Sequence, residues 1–298
     1  MRITELIENE IKFSDHASYC AILGESPSKG ARSPVLWNAC FKELDISSYF
    51  YPFDVNADKL GKVVESLKLD RQFVGGAIAV PYKDAIIPYL DLVEDEAEKI
   101  GAVNLIYKND GKMVGSNTDG LGFVGSIANL LNSTIEKFCK NKKAIIFGTG
   151  GAAKACAVYL SKSLGQNGKI LSIDLNKIDP IDKVEVIEGD FTKVSSQKLI
   201  KNYFKSKVDV VLSDMATNTT GNKNVDSIST NELCEEAMFF AKEILRANGA
   251  FVSKIFMGPS FNEIIAKSKS IFKETRVFKP HASRKNSKES FVICKFLR

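Results

Sequence analysis

The glycine-rich turn FGTGGAAKA, at residues 147–155, has the composition of a cofactor-binding loop. It follows the apolar run from Ala144 to Phe147 and precedes a helical stretch. Backbone N–H groups at the start of a helix bind polar and anionic groups of a nucleotide, and glycines let the ligand approach the backbone. The order strand, glycine turn, helix therefore predicts a nucleotide site. The structural alternative is a tight connection between a strand and a helix.

Lys83 and Asp119 are candidates for proton transfer. Lys83 lies just after a predicted buried strand and Pro81, in VGGAIAVPYK, and Asp119 lies in SNTDG at the predicted start of a helix. Hydride transfer from a secondary alcohol needs a group that takes up the hydroxyl proton, and a lysine beside an aspartate supplies such a pair. The structural alternatives are a solvated lysine at a strand end and an N-cap aspartate.

Asp174 ends the strand-like run KILSID, about twenty residues beyond the glycine turn. A carboxylate in this place accepts hydrogen bonds from ribose hydroxyls and repels a 2′-phosphate, which favours NAD over NADP. The same placement suits the ribose of S-adenosylmethionine. Asp174 therefore predicts a nucleoside cofactor without choosing between these two.

The composition excludes several classes of protein. The chain has 298 residues, 44% of them hydrophobic, and a net charge of +5, which fit one large or two ordinary domains with a true core. The six cysteines form no C-x-x-C pair and there are two histidines, so we expect neither a disulfide framework nor a metal site. No apolar run reaches the ~18 residues of a membrane span, so a cytoplasmic protein without a membrane partner is expected.

Positive charge is concentrated near the C-terminus. From Lys267 onward the sequence has ten Lys or Arg residues against Glu274 and Glu289. Such a segment is more often than not a solvated surface, and the alternative is a contact with RNA phosphates.

Short β-rich runs alternate with amphipathic helical stretches, which is the pattern of α/β domains built on largely parallel sheets. We predict an N-terminal domain at residues 1–118 and a Rossmann-like nucleotide-binding domain at residues 119–298. A hairpin that turns at Asn109 to Gly111 is expected in the first domain. The other predicted strands are 19–23, 49–55 and 74–80 in the first domain, and 144–147, 169–174, 184–187, 208–213, 250–256, 276–279 and 290–296 in the second.

Residues 18–162 resemble the shikimate/quinate dehydrogenase family through the motifs AILG, SPVLWNACFKEL, PYK, IGAVN, NTDGLGF and FGTGGAAKA. The resemblance implies a substrate domain followed by a dinucleotide-binding domain. By position, the catalytic pair would be Lys83 and Asp119. The ligands of a cyclic hydroxy acid would be Ser33 and Asn104, and the cofactor pyrophosphate would lie on Gly148, Gly150 and Gly151.

Two departures from this family affect substrate binding. Its Ser-x-Ser before a proline is Ala31, Arg32 and Ser33 here, and its Asn-Val-Thr is AIA at residues 77–79. A missing donor leaves an oxygen of a polyhydroxy acid unpaired, which weakens recognition. The departures therefore cast doubt on shikimate itself as the substrate, although Arg32 is placed to replace the lost carboxylate contact.

Residues 165–298 resemble a second family, the FtsJ-type ribosomal RNA 2′-O-ribose methyltransferases. The matching segments are GQNGKILSIDLNKIDP, VEVIEGDF, VDVVLSDMATNTTGNKNVD, GAFVSKIFMG and FKPHASRKNSKESFVIC. Methylation of a ribose hydroxyl needs this weak acid to be oriented and deprotonated, and a lysine between carboxylates at strand ends can do this. By position, Lys254 would be the base, Asp214 and Glu289 would orient it, and Asp174 and Asp190 would hold the ribose and adenine of S-adenosylmethionine.

This second resemblance also has departures. The family's loop Asp-Leu-Gly-Ala-Ala-Pro-Gly-Gly is replaced by residues 147–153, so its acidic start and its proline are absent. The family's first catalytic lysine has no counterpart, since Lys137 and Lys140 are out of register. Both families use a doubly wound sheet here. The predicted fold is therefore α/β, with a dehydrogenase-type substrate domain followed by a Rossmann-like sheet completed in methyltransferase order, its last strand antiparallel.

Two functions compete for one cofactor site. The sequence favours an NAD-dependent oxidoreductase of shikimate dehydrogenase type acting on a small cyclic hydroxy acid, because Lys83, Asp119 and the glycine turn are all present. The alternatives are an S-adenosylmethionine-dependent methyltransferase acting on ribosomal RNA and a catalytically silent hybrid. The sequence makes no prediction of the oligomeric state.

Overall fold

Two units, each with its own sheet and apolar core, make up the described part of the chain. The computed structural model describes residues 3–131, 133–148, 150–217, 220–279 and 287–298. The first unit is Met1–Asp119 and the second is Gly120–Arg298. Thr149 of the glycine turn and residues 280–286 of the segment FKPHASRKNSKESFVIC lie outside the described residues.

The first unit contains a six-stranded sheet. Its strands are β1 (Ser18–Gly24), β2 (Ser48–Asp54), β3 (Phe73–Ile78), β4 (Leu92–Val93), β5 (Leu105–Asn109) and β6 (Lys112–Ser116). Its α-helices are α1 (Ser33–Glu43), α2 (Leu60–Leu69), α3 (Tyr82–Ala85) and α4 (Asp95–Ile100). The strand order is β2-β1-β3-β5-β6-β4, with β1 parallel to both of its neighbours and β5-β6 forming the predicted hairpin.

Helix α2 shows why the first unit folds as it does. Its buried residues Leu60, Val63, Val64 and Leu67 follow the spacing i, i+3, i+4, i+7, which places them on one face of a helix. This face joins a core that includes the fully buried rings of strands β2 and β3. Burial of this apolar face, rather than helix propensity, stabilises the helix.

The second unit contains a seven-stranded sheet. Its strands are β7 (Lys143–Phe147), β8 (Lys169–Asp174), β9 (Val184–Glu188), β10 (Val208–Ser213), β11 (Leu245–Phe256), β12 (Phe272–Phe278) and β13 (Glu289–Leu297). Its helices are α5 (Asp119–Leu130), α6 (Ile135–Cys139), α7 (Gly151–Lys162), α8 (Val194–Phe204), α9 (Lys223–Ile244) and α10 (Phe261–Ile271). Helix α5 begins at Asp119, the last residue of the first unit.

The strand order of the second sheet is β12-β13-β11-β10-β7-β8-β9. The five strands from β11 to β9 are parallel, and β13 runs antiparallel to both β11 and β12. Central strand β10 is buried at all six residues, as expected of a parallel strand covered on both faces. The predicted methyltransferase order with an antiparallel last strand is confirmed.

The sheet order decides which residues share an edge. The parallel strands β7, β8, β9, β10 and β11 bring their carboxyl ends to one edge, and the antiparallel strand β13 begins there, since Glu289 pairs with Phe256 at the end of β11. In open α/β sheets, ligands bind outside the carboxyl ends of the strands. Within the described residues, no helix is long and apolar enough to cross a lipid bilayer.

Candidate functional site

The glycine turn connects β7, the neighbour of the central strand β10, to α7. Gly148 has a left-handed φ of +79°, and a Cβ atom on it would lie 3.2 Å from the backbone nitrogen of Met215. Gly150 is the N-cap of α7, and a Cβ atom there would meet nothing within 4 Å. Gly151 begins α7. The turn therefore combines a close backbone contact with open space at the start of a helix, where a polar group of a ligand is favoured.

Substitution of Gly148 is expected to cost stability because two effects add. An L-residue in the left-handed region costs about 1–2 kcal/mol, and the new methyl group would press on Met215. Gly148→Ala should therefore lower the free energy of unfolding by at least about 1 kcal/mol in urea denaturation. Gly150→Ala is the matched control, since its φ of −51° and open surroundings accept a methyl group. Equal effects of the two changes would refute the assigned backbone conformation.

Two aspartates follow neighbouring strands at the same edge. Asp174 ends β8, and its Oδ1 accepts hydrogen bonds from the backbone and side-chain amides of Asn176, at 2.8 and 3.2 Å. Asp190 follows β9, and its Oδ1 accepts from the Thr192 hydroxyl at 2.7 Å and from the Thr192 backbone N–H at 3.0 Å. The hydroxyl hydrogen bond lowers the pKa of Asp190, so this carboxylate remains charged in neutral solution.

Lys254 lies between two carboxylates at the carboxyl edge. Its Nζ is 2.8 Å from Oδ1 of Asp214 and 3.9 Å from Oε1 of Glu289. The side chains of Lys254 and Asp214 are only 15% and 18% exposed, so water screens this pair less than it screens a surface ion pair. The backbone N–H of Asp214 donates to the carbonyl of Phe147 at 2.9 Å, and this hydrogen bond fixes the backbone position of Asp214. The three residues that the sequence proposes for methyl transfer therefore lie together.

A cavity of about 90 Å³ adjoins Lys254 and has a largely apolar wall. Phe123 of α5 and Phe291 of β13 line it beside the Lys254, Asp214 and Glu289 side chains, and their rings meet edge to face with centroids 5.5 Å apart. Neither ring is proposed from the sequence. Phe123 lies in NTDGLGF and Phe291 in ESFVIC, segments that the resemblances include, but an aromatic residue in such a run carries no chemical signal of its own.

Lys83, Asp119 and Asn104 form a second cluster, within the first unit. Lys83 Nζ donates to Oδ2 of Asp119 at 2.6 Å, and Asn104 Nδ2 donates to Oδ1 of the same carboxylate at 2.7 Å. Asp119, which the sequence offers as an N-cap, is the first residue of α5, and its backbone N–H donates to Oδ1 of Asn117 at 3.0 Å in the turn before the helix. Since Lys83 and Asp119 are 32% and 43% exposed, their ion pair adds little stability.

Ser33, Lys137 and Lys140 have no described contact with these clusters. Ser33 begins α1. In the neighbouring turn, the backbone N–H and hydroxyl of Ser28 donate to Asp54, a contact that the sequence does not reveal. Lys137 and Lys140 are exposed on and just after α6, and neither has a described contact with Lys254.

Comparison with known families finds both resemblances. The model described as FtsJ-like methyltransferase matches residues 132–297, and the shikimate dehydrogenase substrate binding domain matches residues 23–106. The first match starts farther upstream than the resemblance that begins at residue 165. The glycine turn therefore falls within the methyltransferase match, whereas its sequence alone resembles the dehydrogenase turn.

Individual relatives divide in the same way. The ribosomal RNA large subunit methyltransferase E of Pelagibacter ubique is 53% identical over 164 residues, which cover 55% of this chain and 80% of the relative. The corresponding protein of Rickettsia akari is 39% identical over 166 residues, which cover 55% of this chain and 73% of that relative. Among solved structures, shikimate dehydrogenase 1 of Peptoclostridium difficile is 27% identical, covers 74% of each chain and has a TM-score of 0.51. Since the methyltransferase model spans more than half of the sequence and these relatives align over most of their own length, the chain belongs to the FtsJ-like methyltransferase family.

Proposed function

We propose that the second unit transfers a methyl group from S-adenosylmethionine to a ribose 2′-hydroxyl of ribosomal RNA. The observation that carries this proposal is the position of Lys254, 2.8 Å from Asp214 and 3.9 Å from Glu289 at the carboxyl edge of the sheet. The 53% identity to the Pelagibacter ubique methyltransferase supports the same substrate class. This proposal replaces the oxidoreductase as the preferred function.

The residues around the glycine turn fit S-adenosylmethionine. A side chain on Gly148 would press on the backbone of Met215, and Gly150 has open space around it at the start of α7. The carboxylates of Asp174 and Asp190, on the same sheet edge, would hold the ribose and the adenine. The turn lacks the family's acidic residue and proline, so the backbone itself would hold the methionine end.

The residues of this chain would perform the proton transfer. The bound cofactor supplies an electrophilic methyl group. The amine of Lys254 would take the proton from the ribose 2′-hydroxyl, so that the oxygen can accept the methyl group while its bond to the cofactor sulfur breaks and the thioether leaves. The carboxylate of Asp214 fixes the direction of Nζ, and Glu289 stabilises the ammonium that results. The apolar rings of Phe123 and Phe291 limit access of water to this side of the lysine.

Basic residues at the same edge would contact the RNA. Lys279 follows the end of β12 and Lys288 precedes the start of β13, which are neighbours because these strands are antiparallel. Lys279 Nζ is held by the carbonyl of Ser287 at 2.7 Å. Two positive charges next to Glu289 suit a phosphate backbone, whose binding depends on salt.

Calorimetric titration of the intact chain tests the choice of cofactor. We expect S-adenosylmethionine to bind at least about tenfold more tightly than NADH or NADPH. Asp174→Ala should weaken this binding at least about tenfold, because a ribose hydroxyl loses a charged acceptor. Asp182→Ala is the matched control, an exposed aspartate in the turn before β9. Binding of NADH without binding of S-adenosylmethionine would reverse the proposal.

A second candidate function is hydride transfer to or from a small cyclic hydroxy acid. It rests on the cluster in the first unit, where Asp119 accepts hydrogen bonds from Lys83 and Asn104 at 2.6 and 2.7 Å. The alanines at residues 31, 77 and 79 remove hydroxyl and amide groups that the dehydrogenase family uses, so a less hydroxylated acid is the substrate we would test. This candidate requires NAD binding in the titration above and loss of turnover in Lys83→Ala.

A further inference from the structure

Helix α1 of the first unit exposes its apolar residues instead of burying them. None of its residues is buried. Leu36, Cys40 and Leu44 recur at four-residue spacing and, with Trp37, form one stripe along the helix and its C-cap. Leu36 is 56%, Trp37 50% and Leu44 61% exposed, and Cys40 is exposed as well. An amphipathic helix normally turns such a stripe to a core, so this α1 stripe marks an interaction surface.

The contacts of α1 with its own unit hold the stripe in place. The Trp37 ring stacks on Phe50 of β2, at a centroid distance of 6.5 Å and an interplanar angle of 8°, and meets Phe41 at 5.9 Å. One side of the half-exposed indole is therefore fixed by packing against Phe50 and Phe41. A rigid aromatic side chain with an exposed face loses little conformational entropy on association, which is why such residues dominate interfaces.

Side chains of the first unit occupy the backbone groups of the neighbouring edge strand β2, so another strand cannot pair with it. β2 is the edge of the first sheet, but Asn38 of α1 donates to the carbonyl of Phe50 and accepts from its N–H. Asn9 donates to the carbonyl of Pro52 and accepts from the N–H of Asp54. Outward-facing backbone groups of β2 are thus already paired. Natural proteins cover sheet edges in this way to prevent association through them. A partner at this side of the unit would have to pack on the helix.

Charge at the two ends of α1 favours a second copy of the chain as that partner. Lys29 and Arg32 precede the stripe, whereas Glu43 and Asp45 outweigh Lys42 at its end and leave a net negative charge there. Two α1 helices packed antiparallel across a two-fold axis would bring the basic start of one next to the acidic end of the other. The helix dipoles would oppose each other as well, so both terms favour this orientation.

We propose that the chain forms a symmetric dimer in which two copies of the α1 stripe pack antiparallel. The residue at the middle of the stripe is Cys40, so the two-fold axis passes near it and Leu36 of one copy faces Leu44 of the other. This inference does not depend on the proposed methyl transfer, because the stripe belongs to the first unit.

Sedimentation velocity of the full chain tests the dimer. We expect a species of twice the 32.8 kDa chain mass at micromolar concentration. Leu36→Glu should raise the dissociation constant at least about tenfold, because it places charge on the apolar contact. Val35→Glu is the matched control, since Val35 is 73% exposed but lies on another face of the same helix. Circular dichroism would show that both variants keep the fold.

Cross-linking gives a second readout that needs no destabilising change. A short bifunctional maleimide should join two chains through Cys40, because the other five cysteines are buried or half-buried. Cys40→Ser should abolish the cross-linked dimer and leave the sedimenting dimer intact. A monomer at all concentrations would overturn the proposal, and so would a dimer that Leu36→Glu leaves unchanged or that cross-links equally well without Cys40.

Discussion

Lys254→Ala is expected to lower the rate of methyl transfer to ribosomal RNA by about 10²–10⁴-fold, the usual contribution of a positioned proton acceptor. The amine that takes the 2′-hydroxyl proton would be lost, and Asp214 would keep a largely buried carboxylate without its partner 2.8 Å away. Affinity for S-adenosylmethionine should change much less, since the glycine turn and Asp174 are untouched. Incorporation of a labelled methyl group under single-turnover conditions measures the rate.

Lys267→Ala is the matched control for this change. Lys267 is also a paired lysine of the second unit, with Glu235 at 2.6 Å and Glu263 at 2.8 Å, but it lies on α10, whose residues do not line the cavity beside Lys254. It should retain nearly the full rate. If Lys254→Ala retained the rate as well, Lys254 would not be the base and another group would have to take the proton.

Phe147→Ala is expected to destabilise the second unit by about 3–5 kcal/mol, the usual cost of removing a buried phenyl ring. Phe147 is fully buried and packs against Phe191 and Phe240, with ring centroids 3.9 and 5.9 Å away. Its carbonyl also accepts the backbone N–H of Asp214. The cavity that the ring leaves would therefore loosen both the glycine turn and the position of the Asp214 carboxylate.

Urea unfolding followed by circular dichroism measures this loss. Trp37 is the single tryptophan and lies in the first unit, so its fluorescence reports the unfolding of that unit and serves as an internal reference. Phe239→Ala is the matched control, because Phe239 is 45% exposed on α9. A similar loss in both variants would mean that the ring cluster around Phe147 does not anchor this part of the sheet.

The strands of the second sheet could be predicted from the sequence because each leaves a local signal, and their order was implied by the resemblance to the methyltransferase family. The apolar runs at residues 208–213 and 250–256 end at Asp214 and near Lys254, and parallel strands must bring such ends to one edge. The neighbourhood of Lys254, Asp214 and Glu289 follows from this rule together with the antiparallel β13.

Contacts that depend on side-chain direction could not be predicted. The pattern of α1 resembles that of an ordinary core helix, yet Leu36 and Leu44 are exposed, while Asn38 of the same helix pairs with the backbone of Phe50 in β2. The Asp119 carboxylate accepts hydrogen bonds from Lys83 and Asn104, which lie 36 and 15 residues away in the sequence. Both outcomes depend on partners that are distant in sequence and that local periodicity does not encode.

The choice of activity also exceeds what local motifs can decide. A glycine turn between a strand and a helix serves both cofactors, and an acidic residue such as Asp174 binds either ribose. Lys83 and Asp119 favour an oxidoreductase from the sequence alone, but the methyltransferase match over residues 132–297 and the 53% identical relative support the alternative better. The strands that follow the turn, rather than the turn itself, distinguish the two families.

Transfer of a labelled methyl group from S-adenosylmethionine to ribosomal RNA by the intact chain tests the central claim most directly. Digestion of the RNA to nucleosides and mass spectrometry would locate the label. The account predicts a 2′-O-methylated nucleoside whose formation requires Lys254. An RNA that gains no label from a chain shown to bind the cofactor, or a label on a base instead of a ribose, would contradict it.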